Sequence, residues 1–554
     1  MSKTPQLEIV PLGGLGEFGM NLMLYRWGDD CLVVDAGMMF AGSHLPGIDF
    51  VVPDISFLEQ AGRLNGIVLT HGHEDHIGAV PHLLERFPAP VYGSDYTLEL
   101  LRRRFAQRQS ATTPVLRRLP ISPESVRLGP FRVEAIPVAH STPQSRLIAL
   151  ETPVGWVVHT SDFKLDPNPP DGEGTEQQRL MEIGRRGVLV LLSDSTNADR
   201  AGTTPGEASA HRGLDQVLQG ATERVLLTTF ASNVQRLAGL GKLAQAHGRR
   251  LALLGASVNR HAEVAQQLDL LPLHPGLRIA GDRLAELPRS AVLAVASGSQ
   301  GEPLSAMSRI AAGKHPDLSL DPGDTVIHSA RIIPGNEKPI GAMINRLMRQ
   351  GAQVITSADA PVHVSGHASA AELQQLIEWL QPRWFVPIHG EYRQLQAHSR
   401  LAVDAGLDPR HVLLAESGDR IRVGERTFEI VGQAPVGRTN MESGGDAVPW
   451  ELVSDRRKSS KHGVVVAVVD IHKQTGAAAG YPGIATRGFR PQLDDEEEML
   501  DLFRQTIAEA LAEAPAKERR DSKALEARIE VHLRRCIRRK DQRAPLVIAM
   551  ARLV

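Results

Sequence analysis

The 554 residues are too many for one hydrophobic core, so two or three domains are expected. Hydrophobic residues make up 42% and charged ones 23%, an ordinary soluble make-up, and MSKTPQLEIVPLGG lacks the apolar core of a secretory signal. The formal net charge of −2 excludes a protein that coats nucleic acid by bulk positive charge, but not a nuclease whose field is local.

In chain order, LEIVPLG, CLVVDAG, GIVLTHG, FRVEAIPVAH and GWVVHTSD each run apolar and end in Gly, His or Asp. That is the look of buried strands delivering polar groups at their C-terminal ends, and it holds over residues 1–206. From 207 to 360 strand-like RVLLTTF, RRLALLG, AVLAVASG and DTVIHSA alternate with helical stretches, predicting an α/β domain. Residues 361–435 return to the strand pattern of 1–206 with WFVPIHG and RIRVGERTFEIVG. Residues 436–456, rich in Gly, Pro and polar side chains, read as a linker. Residues 457–554 read as a separate small α/β domain: a strand pair in HGVVVAVVDIHKQTG, helical periodicity over 495–513 and 521–540, and a closing strand in APLVIAMARLV.

Charge is uneven. Arg102, Arg103 and Arg104 form one basic cluster and Arg534, Arg535, Arg538, Arg539 and Lys540 another, while Asp494 to Glu498 is a run of five acids. All three also read as solvated helix faces. No stretch reaches the length of a membrane span, and Cys31 and Cys536, in unrelated contexts, read as separate thiols of a cytoplasmic protein.

The strongest local signal is His71-Gly72-His73-Glu74-Asp75-His76, directly after the strand-like residues 66–70. A strand that stops there and turns into a helix near Ile77 gathers four ligand-type side chains at one sheet edge. In extended chain His71 and His73 point the same way, and Asp75 and His76, past the turn, can face a second ion. Imidazole with carboxylate suits zinc or manganese. His140 and Asp162 each end a later strand, and a carboxylate has two oxygens with which to bridge two cations. His82, His159 and His328 read as ordinary helix and strand residues, and Glu74 as pointing away from the ligands.

With Asp35 in VVDAG, this order of motifs resembles the metallo-β-lactamase superfamily. The resemblance implies an αββα sandwich in which His71, His73 and His140 hold one divalent ion. Asp75, His76 and a final His hold the other, with Asp162 between them and Asp35 orienting the ligand loop. It also implies a bridging water that loses a proton near neutral pH and becomes the nucleophile. The final His is placed late, at His389 in FVPIHGEY, with a whole domain of sequence before it. An insertion there resembles the β-CASP nucleases, with Asp194 in LSDSTN, His367 in HVSGHAS and His389 matching their motifs. His389, where the DNA-directed Artemis-like branch has Val, favours RNA.

More narrowly, PLGGLGEFGMN, LTHGHEDHIGA, HTSDFKLD, SDSTNADR, TTFASNVQR, ASGSQGEP, IPGNE, HVSGHAS and PIHGEYR resemble the bacterial ribonuclease J family in its own order. Two departures are Ser161, where Gly is usual, and His44. The family resemblance implies 5′→3′ exonuclease and endonuclease action on single-stranded RNA with a 5′-monophosphate, in rRNA processing and mRNA decay. It assigns Asp194 as acid and His367 as base, though either can instead lend electrostatic support. A phosphate pocket is expected from His363, Val364, Ser365, Gly366 and His367 together with Phe230, Ala231, Ser232 and Asn233; the same segments also read as capped turns. Asp49 and Asp446 are candidates for a structural calcium, or plain surface turns.

A homodimer or tetramer, and contact with other RNA-decay proteins, complete the expectation. Three rivals stand against it. A small-molecule hydrolase predicts a short path from Asp162 to the last ligand, a DNA nuclease predicts Val at 389, and an inert RNA-binding scaffold predicts lost ligands.

Overall fold

The computed structural model describes residues 5–42, 44–108, 113–170, 172–489, 496–540 and 543–554; Asp494 and Asp495 of the acidic run lie outside them. The chain divides into two units: Met1–Met39 with Val52–Arg438, and Phe40–Val51 with Thr439–Val554.

In the first unit two sheets share a core. One has the strand order 428–433, 419–423, 7–13, 22–27, 30–34, 63–68, 91–93, 116–118. The other runs 126–128, 131–137, 146–152, 155–159, 188–194, 384–388. Leu7, Ile9, Tyr25 and Val34 of the first meet Phe131, Val133, Val157 and Val190 of the second, all fully buried. Helices Gln177–Arg186, Ala370–Leu380 and Tyr392–Asp404 cover the outer face of the second sheet, and Asp95–Arg108 packs on the edge of the first. This is the αββα sandwich expected from the sequence. The strand Val188–Asp194 is buried on both faces because it lies between two parallel neighbours, which explains an apolar run without alternation.

The insertion is a wholly parallel six-stranded sheet, in the order 278–279, 250–254, 292–296, 225–228, 325–328, 353–355, with α-helices between consecutive strands except 278–279 and 292–296, which two short 3-10 helices join. Helix Val234–Ala246 starts at Asn233, whose side chain accepts the Arg236 N–H. Arg236 is wholly buried; its guanidinium pairs with Glu207 and donates to Ser329 Oγ (2.5 Å) and the Val362 carbonyl (3.3 Å). Removing one partner leaves the other charge stranded, so Glu207→Ala is expected to lower stability by about 3–5 kcal/mol. Urea unfolding checks it, and an unchanged midpoint would show that the pair contributes nothing.

The second unit holds a three-stranded sheet, 483–487, 464–471, 546–553, with helices Glu496–Ala512 and Ser522–Lys540 on one face. Val464–Ile471 is a single strand, not the expected pair; its antiparallel partner is Gly483–Arg487. The expected linker is also partly regular. It contains strands Arg438–Met441 and Ala447–Val448 and the start of helix Trp450–His462. That helix buries only Val453, so its composition reads as unstructured although its backbone is helical. Asp49 accepts the Ser443 N–H through Oδ2 (2.7 Å) and so closes the turn before Asp446. Arg534 pairs with Glu530 (2.6 Å).

Candidate metal centre

Strand direction assembles the site. In the second sheet 131–137, 155–159, 188–194 and 384–388 all run the same way, and His140, Asp162, Asp194 and His389 emerge at one edge. In the first sheet the parallel strands 30–34 and 63–68 deliver Asp35 and His71. Asp35, Ser161 and His389 take φ of 62°, 52° and 54°, tight turns that aim a side chain straight off a strand end at some cost in backbone strain. The helix expected near Ile77 begins already at Glu74, with His73 as its N-cap, so Asp75 and His76 lie in its first turn.

Backbone pairing fixes that loop: Asn21 N–H donates to Asp75 O, Ala36 N–H to His76 O and Met38 N–H to Glu74 O. A Cβ on Gly37 would lie 1.6 Å from the Asp75 carbonyl oxygen, so only glycine fits there.

Among the described residues the ligand-type atoms form three groups that overlap at Asp162; one is Asp162, Asp194, His367 and His389, and the other two hold the expected ligands. In the first of these two, His71 Nε2 lies 3.0 Å from His73 Nδ1, His140 Nε2 lies 3.2 Å from His73 Nδ1, and Asp162 Oδ2 is 3.6 Å from both His71 Nε2 and His140 Nε2. In the other, His76 Nε2 is 3.6 Å from Asp75 Oδ2 and 3.4 Å from Asp162 Oδ2, and His389 Nε2 is 3.4 Å from Asp75 Oδ2. A tetrahedral divalent ion with ligands about 2.0–2.1 Å away separates them by about 3.3 Å, the centre of this range. The Asp162 Oδ1 atom is buried without a hydrogen-bond partner among the described residues, which suits an oxygen that faces a cation. The donor set therefore fits divalent ions, with Asp162 common to both groups.

The outward ring nitrogens are held. His76 Nδ1 donates to Asp35 Oδ2 (2.7 Å) and His140 Nδ1 to the Gly366 carbonyl (2.7 Å), which turns each Nε2 toward the cluster, where Asn21 Nδ2 lies 3.1 Å from that of His76 and Ser141 Oγ 3.4 Å from that of His140. A Cβ on Gly366 would lie 2.8 Å from the His140 ring, so the close approach needs glycine. Asp194 Oδ1 accepts Thr196 N–H (2.9 Å) and Oγ–H (2.7 Å), and its Oδ2 accepts His367 Nδ1–H (2.8 Å). The His367 ring stacks on His389 with centroids 5.6 Å apart.

Electrostatics separate the imidazoles. Burial lowers His71, His73 and His140 far enough that all three are neutral at pH 7, His73 at about 4. Burial also opposes charge on His389, but Asp162, Asp194 and Asp75 outweigh it and raise the ring to about 10. His76 rises for the same reason, opposed by burial and supported by Asp162, Asp75 and Asp35. Burial alone would raise Asp194, yet His367 and His389 hold it below the usual carboxylate range.

Of the remaining expected site residues, Asn233 is occupied as a helix cap, Phe230 accepts the Asn233 N–H on its carbonyl, and Ala231 and Ser232 are half-buried between them. Ser365 Oγ accepts from Asn197 Nδ2 (3.0 Å) and from the His367 N–H (3.2 Å), Val364 is buried, and His363 Nδ1 is buried with no partner among the described residues. Asp49 and Asp446 belong to none of the groups of metal-ligating side chains among the described residues. Arg102 and Arg103 pair with Glu99, and Arg104 with Glu74, so that cluster is tied down within the fold. Sequence reasoning missed Thr70, Thr196, Asn197 and Arg331. Arg331 donates to Asn197 Oδ1 (2.7 Å), and so stands behind the Asn197 amide that holds Ser365 and the His367 carbonyl. Only their position beside a motif residue marked the first three; nothing marked Arg331.

An αββα sandwich with His and Asp clustered at its strand ends and a parallel α/β insertion defines a metallo-hydrolase. Matches to family models cover most of the chain: "Beta-lactamase superfamily domain" at 31–165, "Ribonuclease J, beta-CASP domain" at 222–347, "Zn-dependent metallo-hydrolase RNA specificity domain" at 360–412 and "Ribonuclease J C-terminal domain" at 451–553. Ribonuclease J of Synechocystis sp. is 37% identical over 99% of this chain and 87% of its own. That of Sinorhizobium meliloti is 37% identical over 97% and 95%, and ribonuclease J2 of Bacillus subtilis 34% over 98% of each. A crystal structure of a protein of unknown function from Enterococcus faecalis shares the fold, with a TM-score of 0.54 at 15% identity, over 76% of this chain and all of that one. The chain belongs to the ribonuclease J family and is a metal-dependent, hydrolytic ribonuclease. Among the described residues no helix is long and apolar enough to cross a membrane.

Proposed function

We propose that this ribonuclease degrades single-stranded RNA from the 5′ end, prefers a 5′-monophosphate, and also cuts internally in RNA maturation and decay. The observation that carries the reading is the placement of residues 363–367. At Gly366 this segment grips His140, and through Asn197 it is tied to the Arg331 guanidinium, which sets a cation and a run of polar groups beside the ligand cluster. Ser365, the backbone N–H groups of Ser365 and Gly366, and Ser232 are the groups we assign to a terminal phosphate.

His71, His73 and His140 would hold one divalent ion, Asp75, His76 and His389 a second, and Asp162 both; zinc or manganese suits the nitrogen-and-oxygen set. When bound, such ions supply an activated water and neutralise charge on the phosphate oxygens. The chain's own residues do the rest. Asp194, charged and saturated with donors, serves as the fixed anion that orients His367 rather than as an acid. His367 Nε2 is the atom left to exchange a proton with the reacting phosphodiester. Its stacking on His389 keeps that nitrogen at the rim of the cluster, with the side chain 19% exposed.

RNA of one sequence bearing either a 5′-phosphate or a 5′-hydroxyl tests the reading. The phosphorylated strand should yield mononucleotides and the other should be degraded at least about tenfold more slowly, the loss of a charged contact. Equal rates would remove the case for the pocket, and intact RNA beside rapid thioester hydrolysis would overturn the substrate class.

Metal loading should depend on pH unequally. His71, His73 and His140 are already neutral at pH 7, so their subsite fills without expelling protons. His389, raised to about 10, and His76 carry protons in the metal-free protein, so filling their subsite releases them. Lowering the pH from about 8 to about 6 should therefore empty the His76–His389 subsite first. Calorimetry in two buffers of different ionisation enthalpy reads the released protons; uptake with none released contradicts the assignment.

A further inference from the structure

Ser161 stands directly before Asp162 in a left-handed conformation that suits glycine and strains serine. What serine adds is a buried hydroxyl. It donates to Thr70 Oγ1 (2.7 Å) and lies 3.4 Å from His71 Nδ1. Thr70 Oγ1 in turn donates to Asp35 Oδ2 (2.8 Å), the same oxygen that accepts His76 Nδ1–H (2.7 Å). The other oxygen, Asp35 Oδ1, is taken by the Thr70 N–H (2.9 Å).

A hydroxyl has one proton to give. With a proton arriving from Ser161 and its own directed to Asp35, Thr70 Oγ1 presents only an acceptor to His71 Nδ1, 3.0 Å away. His71 must then carry its proton on Nδ1 and leave Nε2 bare. Without the Ser161 hydroxyl, the Thr70 proton is held by the Asp35 carboxylate alone and is shared with His71 Nδ1, and each visit to that nitrogen selects the tautomer with a blocked Nε2.

We propose that Ser161 is a positioning residue: it sets the direction of proton donation through Thr70 and Asp35, and so fixes Nε2 as the ligand atom of one imidazole in each metal subsite. The inference rests on the metal assignment above. It accounts for a strained serine where glycine would be unstrained, and it joins the two subsites through one carboxylate.

The test uses the full chain stripped of metal, titrated with Zn²⁺ against a chromophoric chelator, with thermal melting of the metal-free protein alongside. Ser161→Gly should weaken Zn²⁺ binding about tenfold, as loss of a ligand's supporting hydrogen bond does elsewhere. The metal-free variant should melt at the wild-type temperature or above, because the backbone strain is gone. In a Thr70→Val background Ser161→Gly should have no further effect, since it acts through that hydroxyl. Zn²⁺ affinity within about twofold of wild type overturns the proposal, as does a lower melting temperature or an additive double variant. A wild-type chain that takes up neither Zn²⁺ nor Mn²⁺ overturns the metal assignment itself, and this inference with it.

Discussion

Asp162→Asn is expected to lower RNA hydrolysis on the order of a thousandfold and to leave the protein with little bound metal. The substitution is nearly isosteric, so its effect is one of charge and donor type. In the wild type Asp162 Oδ2 lies within 3.6 Å of three imidazole nitrogens from both groups, and its Oδ1 lies 3.5 Å from His389 Nδ1. Asparagine offers one neutral oxygen and one N–H donor, which cannot face two cations together. The fold should survive, because the neighbouring imidazoles can give up their protons when the anion is gone. Decay of end-labelled RNA together with metal content by mass spectrometry measures both effects. Wild-type rate with wild-type metal content would show that Asp162 bridges nothing.

His367→Ala should reduce turnover by about 10² to 10⁴, the range for losing a group that moves a proton, while metal content stays unchanged. The contrast with Asp194→Asn makes the prediction sharp. Asp194 Oδ1 also lies 3.3 Å from His389 Nδ1, so that variant disturbs a proposed ligand as well as His367. It should lose metal where His367→Ala does not. Equal metal loss in both would make His367 a structural support of the centre, and full activity in His367→Ala would remove it from the reaction.

The sandwich was legible because its strands end abruptly in Asp or His, a pattern with no use unless those ends converge. HGHEDH announced a metal cluster for the same reason. The late partner His389 could be reached only through family resemblance, since spacing alone does not say that the strands at 188–194 and 384–388 are neighbours. Hydrogen-bond relays were not legible at all. Thr70, Thr196 and Asn197 are ordinary residue types whose importance lies in which oxygen faces which nitrogen, and that depends on contacts far apart in sequence. The linker misled for the opposite reason: a helix that buries a single valine has almost no apolar period to detect.

One property of the topology bears on how the protein comes into being. The strand Trp384–Ile388 is the last to join the second sheet, and His389 follows it directly. A ribosome-bound chain that has emerged only as far as the inserted domain carries HGHEDH, His140 and Asp162, but lacks both that strand and the final imidazole. Synthesis runs from the N-terminus, so with His389 as a proposed ligand the centre is completed only after the inserted domain has left the exit tunnel. The order of the chain thus acts as a timer, and a truncated product ending before residue 389 is left with an incomplete blade.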